Sequence, residues 1–140
     1  MASKNLENFL ALMAKVKGMD PTSDASLDIM QDYVTPDMEF VQPPSFPHGG
    51  VHGGRDGWRH MAKTLNENWQ LHISPDHMWD IPEEDVVVLY VNMEWTAQKT
   101  GRTVHYPTME LLRFKDGRIA RAEIFPQDTH AVLETLNAHD

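Results

Sequence analysis

The sequence predicts an α+β domain over residues 1–140, with helices packed on one face of a curved antiparallel sheet. Three observations predict it. Apolar residues recur at helical spacing in the first half and mostly at strand spacing in the second. Two turn signals, Lys99-Thr100-Gly101 and Asp116-Gly117, divide the second half into strands that fold back on one another. Between the halves, Gln42 to Gly54 is too rich in Pro and Gly for either a helix or a central strand.

Taken in order, Leu6, Phe9, Leu10, Met13 and Val16 mark an amphipathic helix that Gly18 can end. Ser23 or Asp24 is placed to cap a second helix running through Tyr33, and Thr35-Pro36-Asp37 breaks it. Met38 to Val41 is a short strand. The Pro- and Gly-rich segment after it is expected to rim the interior without joining the sheet. A third helix starts near Arg55 and runs to Asn68, with Trp58, Met61, Ala62 and Leu65 as its apolar stripe. Strands follow at Trp69–Trp79, Val86–Ala97, Thr103–Phe114 and Ile119–Phe125, and a short helix closes at Thr129–Leu136.

Hydrophobic content of 41% and charged content of 24% suit a soluble protein with one proper core. No segment has the apolar length of a membrane span, and the N-terminus lacks the apolar core of a secretory signal. With no cysteine, disulfides and thiolate metal sites are excluded; the expected location is cytoplasmic. A net charge of −9 argues against nucleic acid or anionic lipid as a partner. The basic group Arg113, Lys115, Arg118 and Arg121 surrounds a turn and reads as solvated. His48, His52 and His60 could in principle hold a metal, but the Gly-rich stretch is no helix, so they read as exposed loop histidines and no metal is expected. His72, His77 and His105 are isolated and read as surface residues.

Three short segments carry a family resemblance: Tyr33-Val34-Thr35-Pro36-Asp37-Met38-Glu39-Phe40 with Pro43, Gly53-Gly54-Arg55-Asp56-Gly57, and Asp116-Gly117-Arg118-Ile119. In this order and spacing the chain resembles the SnoaL-like branch of the nuclear transport factor 2-like superfamily, with its ketosteroid isomerases, polyketide cyclases, limonene epoxide hydrolases and phenazine A/B proteins. The resemblance implies a cone: a bent sheet wrapped around the helices, leaving a deep apolar pocket. Chemistry there rests on a few acids, His, Tyr or Asn, without metal or organic cofactor.

The resemblance also points to residues. Gln42 stands where isomerase members carry a general-base Asp, and an amide cannot take a proton at neutral pH. Glu110 falls where they carry a second, protonated acid that donates to an oxyanion. Asn92 and Glu94 occupy approximately the Arg and Asp places of the epoxide hydrolases, and Ile124 replaces their last Asp.

The faces of the strands depend on the hairpin at Gly101. A three-residue loop pairs Gln98 with Arg102 and gathers Tyr90, Asn92, Glu94, Tyr106, Thr108, Glu110 and Ile124 on the pocket face. Val87, Leu89, Val91, Met93 and Trp95 then form an apolar outer face that needs a partner, so a homodimer through the sheet is expected. A shift of one residue swaps the faces and sends Met93 and Trp95 inward. With the first register, Glu110, Glu94 and Asn92 are the expected catalytic residues. Tyr33, Gln42, Trp58, Tyr90, Tyr106, Thr108 and Ile124 are the expected contacts to an apolar small-molecule ligand. Two functions remain open: an isomerase- or cyclase-type enzyme moving protons on an apolar carbonyl or polyketide-like compound, or a non-catalytic ligand- or protein-binding module.

Overall fold

A computed structural model describes residues 1–137; residues 138–140 of the expected domain lie outside the described residues. Four helices, α1 (Lys4–Val16), α2 (Asp24–Met30), α3 (Gly54–Asn68) and α4 (Thr129–Glu134), accompany six strands. These are β1 (Val34–Gln42), β2 (Gly50–Gly53), β3 (Trp69–Ile81), β4 (Val86–Ala97), β5 (Thr103–Lys115) and β6 (Arg118–Pro126). They form one sheet in the order β2-β1-β6-β5-β4-β3, antiparallel except where β1 lies beside β6. The α+β expectation is met.

Local chemistry sets the element ends. The Ser3 hydroxyl accepts from the Leu6 amide and starts α1; Ser23 does the same for α2 and Asp128 for α4. Ser3 also donates from its amide and hydroxyl to Asp80 at 2.7 and 2.6 Å, which lowers the Asp80 pKa. Asn5 reaches Asp85, and Asn8 donates to the Gly117 carbonyl at 2.7 Å. The N-terminus of α1 is thus fastened to the β3–β4 and β5–β6 turns. In the second of these, Asp116 and Gly117 both have positive φ, the geometry of a two-residue hairpin turn. No helix among the described residues is long and apolar enough to cross a membrane.

Three expectations are corrected here. α2 stops at Met30 and β1 already begins at Val34, because the chain through Tyr33 pairs with β6: the Ile119 amide donates to the Tyr33 carbonyl. The Pro- and Gly-rich segment does join the sheet, since Gly50–Gly53 pairs with β1 as an edge strand.

The largest correction concerns register. The β4–β5 loop has four residues, not three: the Gly101 amide donates to the Ala97 carbonyl, Ala97 bonds Arg102, and Thr96 faces Thr103. Odd residues of β4 therefore pair with even residues of β5. Val87, Leu89, Val91, Met93 and Trp95 point inward and are all buried. Burying an apolar side chain of this size stabilises by about 1.5–3 kcal/mol, so five of them outweigh the preference of one loop for a length. The expected apolar outer face is the core.

Candidate functional site

The inner face of β5 carries Val104, Tyr106, Thr108, Glu110 and Leu112, in register with the inward residues of β4. The other strands supply an apolar wall: Leu89, Val91 and Met93 from β4, Ala122 and Ile124 from β6. Tyr106, Thr108 and Glu110 thus form a polar rail through an apolar lining, successive residues about 7 Å apart along the strand. Glu110 lies across from Leu89 on one side and Ile124 on the other.

Glu110 is half-buried, so solvent reaches part of its side chain. It has neither hydrogen bond nor ion pair among the described residues. Loss of hydration by burial pushes its pKa up to about 7. A carboxyl that titrates near neutrality can give or take a proton there.

Other unsatisfied groups gather inside the same sheet. Five of the seven fully buried side-chain N and O atoms without a hydrogen-bond partner, among the described residues, belong to Gln42, His48, Trp95 and Thr108. Each such group costs about 1–3 kcal/mol when buried unpaired. Gln42 ends β1, and its amide nitrogen lies 3.7 Å from the Met61 sulfur, leaving Oε1 unbonded. His48 sits in the loop between β1 and β2 and packs on Phe46 at 4.9 Å and on Trp69 at 5.7 Å. Burial, reinforced by nearby His52, lowers its pKa to about 4, so its ring is neutral.

The sequence-predicted residues divide into three groups. Glu110, Thr108, Tyr106, Ile124 and Gln42 share the inner face. Asn92, Glu94 and Tyr90 do not: the four-residue loop turns them outward, where Glu94 lies 3.8 Å from the His105 ring. Asn92 and Glu94 line an open cleft of about 230 Å³ together with His72, Ser74, Met93, His105, Tyr106 and Pro107, and Asn92, Glu94 and Tyr90 are corrected as residues of the inner face. Tyr33 and Trp58 serve packing. Tyr33 lies under the Lys15 ammonium at 5.0 Å; Trp58 meets Phe40 edge-on at 4.9 Å and donates to the Pro21 carbonyl.

Sequence reasoning missed His48, and placed Trp95 inside only under the alternative register. His48 was read as exposed and is 1% exposed. The available signal was the pair Phe46 and His48 on alternate positions between prolines and glycines, where a loop folds back. Among the described residues no three His, Asp or Glu side chains group as metal ligands.

A SnoaL-like domain is matched over residues 19–122. Solved structures with the same fold span nearly the whole chain. One is a nuclear transport factor 2-like protein of unknown function from Burkholderia pseudomallei K96243, 18% identical, covering 97% of this chain and 99% of that one, TM-score 0.79. Another is TerC co-crystallised with polyporic acid, 23% identical, covering 97% and 100%, TM-score 0.78. A third, from Jannaschia sp. CCS1, is provisionally named a SnoaL-like polyketide cyclase: 19% identical, covering 98% and 94%, TM-score 0.76. No curated protein is matched.

Proposed function

Because the chain belongs to the SnoaL-like family of the nuclear transport factor 2-like superfamily, we propose that it is a cofactor-independent isomerase- or cyclase-type enzyme acting on an apolar carbonyl compound. The observation that carries this reading is Glu110, a lone acid on an apolar wall with a pKa near 7. In its ionised form it accepts the proton from the carbon beside the substrate carbonyl, leaving an enolate. Now neutral, it hydrogen-bonds to the enolate oxygen or returns the proton to carbon, which regenerates the carboxylate. Thr108, one rung away, supplies a second hydroxyl with no protein partner. Gln42 presents an acceptor oxygen, which orients a hydroxyl but takes no proton. TerC, a structural neighbour, was co-crystallised with polyporic acid, which supports reading this fold as one that holds a small molecule.

The test is hydrogen–deuterium exchange at the carbons beside the carbonyl in cyclic ketones such as 2-tetralone, followed by NMR in heavy water. The wild type accelerates exchange, and Glu110→Gln loses roughly 10²–10⁴ of it while keeping the fold. No acceleration across a panel of such ketones, or an unchanged rate in the variant, sinks the enzyme reading. Gln42 favours the second reading, a binding module, because it puts an amide where isomerase members carry an acid. Under that reading ligands bind without exchange, and Glu110→Gln shifts affinity alone.

The protein is further proposed to be a homodimer through the outer face of the sheet. The corrected register gives that face its own apolar band: Phe125 beside Met109, Met109 beside Tyr90, with Trp79 nearby on β3. Phe125, Trp79 and Met109 are 54%, 43% and 40% exposed, more than a monomer gains from leaving in water.

A further inference from the structure

The loop between β1 and β2 is bonded to itself and to little else. The Phe46 amide donates to the Pro43 carbonyl, and the Gly49 amide donates to the Phe46 carbonyl. The His52 ring nitrogen Nε2 donates to the carbonyls of His48 and Gly49 at 2.9 and 3.1 Å. A Cβ at Gly49 would meet the Pro43 carbonyl at 2.3 Å, so only glycine lets the loop wind this tightly. Among the described residues, no hydrogen bond or ion pair joins residues 43–49 to any residue outside 43–52.

Ring packing is what seats this loop in the fold. Phe46 lies 5.8 Å from Trp69 and 5.6 Å from Trp95, and His48 lies 5.7 Å from Trp69. At these separations the rings touch, and no further ring fits between them. The seat is dry but not wholly apolar. Both His48 nitrogens and the Trp95 indole N–H are buried there without a partner, whereas the Trp69 indole donates to the Thr135 hydroxyl at 2.8 Å. A neutral imidazole carries one N–H and one lone-pair nitrogen. The loop thus holds one donor and one acceptor unanswered, and a second donor lies unanswered beneath it. Each costs free energy while dry and regains it in water. One end of the loop is also free to turn: Gly50, which opens β2, has a φ of +95° and nothing within 4 Å of where a Cβ would stand.

We propose that residues 43–49 form a plug: a rigid, self-bonded loop that fills the Trp69–Trp95 end of the interior and withdraws as a body about Gly50, opening that end. Withdrawal breaks no hydrogen bond inside the loop, parts only ring contacts and wets three polar atoms that the seated loop leaves dry. A guest beside Trp69 and Trp95 has room only when the plug is out. The guest rests on the ligand-site reading above; the motion does not.

The test is native-state hydrogen exchange on the wild type, followed by NMR in low, rising urea and corrected for intrinsic rates. The Trp95 indole N–H should exchange roughly 10²-fold or more faster than the Val91 amide in the middle of β4. Its rate should barely respond to urea, because a local opening exposes little surface. The Gly49 amide, bonded inside the loop, should exchange more slowly than that indole, which separates withdrawal as a body from unravelling. His48→Phe removes both unanswered nitrogens and should slow the indole about tenfold or more. An indole that exchanges with the rate and urea dependence of Val91 makes the loop part of the core and overturns the plug. A Gly49 amide that keeps pace with the indole overturns the motion as a body. An indole rate unmoved by His48→Phe means that water passes a seated loop, and overturns the plug as well. With biphenyl as the guest, association should slow in His48→Phe by the same factor as the indole exchange. Equal association rates overturn the plug as the way in. Biphenyl that does not bind overturns the ligand site, while the exchange rates still decide the plug.

Discussion

Glu110 and Glu94 are the same residue type on neighbouring strands of one sheet, and the fold treats them in opposite ways. Glu94 is on the outer face, close to the His105 ring and open to water. Two other outer acids are paired: Arg121 donates to Glu39 at 2.6 Å and to Glu123 at 2.8 Å, and Arg113 lies 3.8 Å from Glu123. Glu110 is on the inner face among Leu89, Ile124 and Leu112, with no cation near enough to pair. Paired carboxylates on a wet face are inert and contribute little stability. A lone carboxyl in an apolar wall raises the energy of its charged form, which is what acid–base chemistry at neutral pH requires. The two faces of one sheet thus divide the labour: the outside solubilises and pairs, the inside leaves polar groups unanswered.

The sharpest way to break this comparison is to put the same acid at adjacent positions of β4. Val91→Asp buries an unpaired carboxyl and should cost about 3 kcal/mol or more in urea unfolding. Asn92→Asp, one residue on and exposed, should stay within about 0.5 kcal/mol. Equal costs would mean the faces are assigned the wrong way round.

Next in size is a pH effect. The folded state raises the Glu110 pKa from 4.5 to about 7, so it holds a proton that the unfolded chain has released. The stability this gives is fully present below pH 4.5 and is lost as pH rises through 7, a change of about 3 kcal/mol. Glu110→Gln should remove that loss, so its unfolding free energy relative to wild type should climb between pH 4.5 and 8. His48 works in the opposite sense, since its lowered pKa costs stability as pH falls from 6.5 towards 4. Taking the difference between wild type and Glu110→Gln cancels the His48 contribution. A difference that does not change with pH would remove the carboxyl from the wall.

The smallest effect concerns the outer band. Phe125→Lys should weaken the proposed dimer by about 2 kcal/mol, seen by sedimentation as a shift towards monomer, with the unfolding of the monomer little changed. An unaltered assembly would detach Phe125 from any interface.

Much of the fold was legible because its signals are local. The Asp116-Gly117 turn, the stripe of α3 and the cap at Ser23 each act within a few residues. The register of β4 against β5 was not legible from the turn, since Gly101 with positive φ ends a three- or a four-residue loop equally well. The odd residues of β4 held the answer: five large apolar side chains on one face have to go inward. Giving the polar residues Asn92 and Glu94 a pocket set that argument aside, and burial won. His48 was hidden for a different reason. Periodicity speaks only where the chain is regular, and the path of the loop between β1 and β2 is fixed by carbonyls and a glycine that leave no repeating pattern.

The fastening of α1 also bears on how the chain is born. Ser3 bonds a residue 77 positions away, Asn5 one 80 away, and Asn8 one 109 away. β1 likewise waits for β6, since Val34 is paired with Ile119. During synthesis at about 5–20 residues per second, the finished first helix therefore has no complete dock for roughly 5–20 seconds, the time needed to go from Val16 to Gly117. Phe9 and Leu12, which end up buried, spend that interval without their final neighbours. The β5–β6 hairpin, made long after α1, is the one that lets that helix settle.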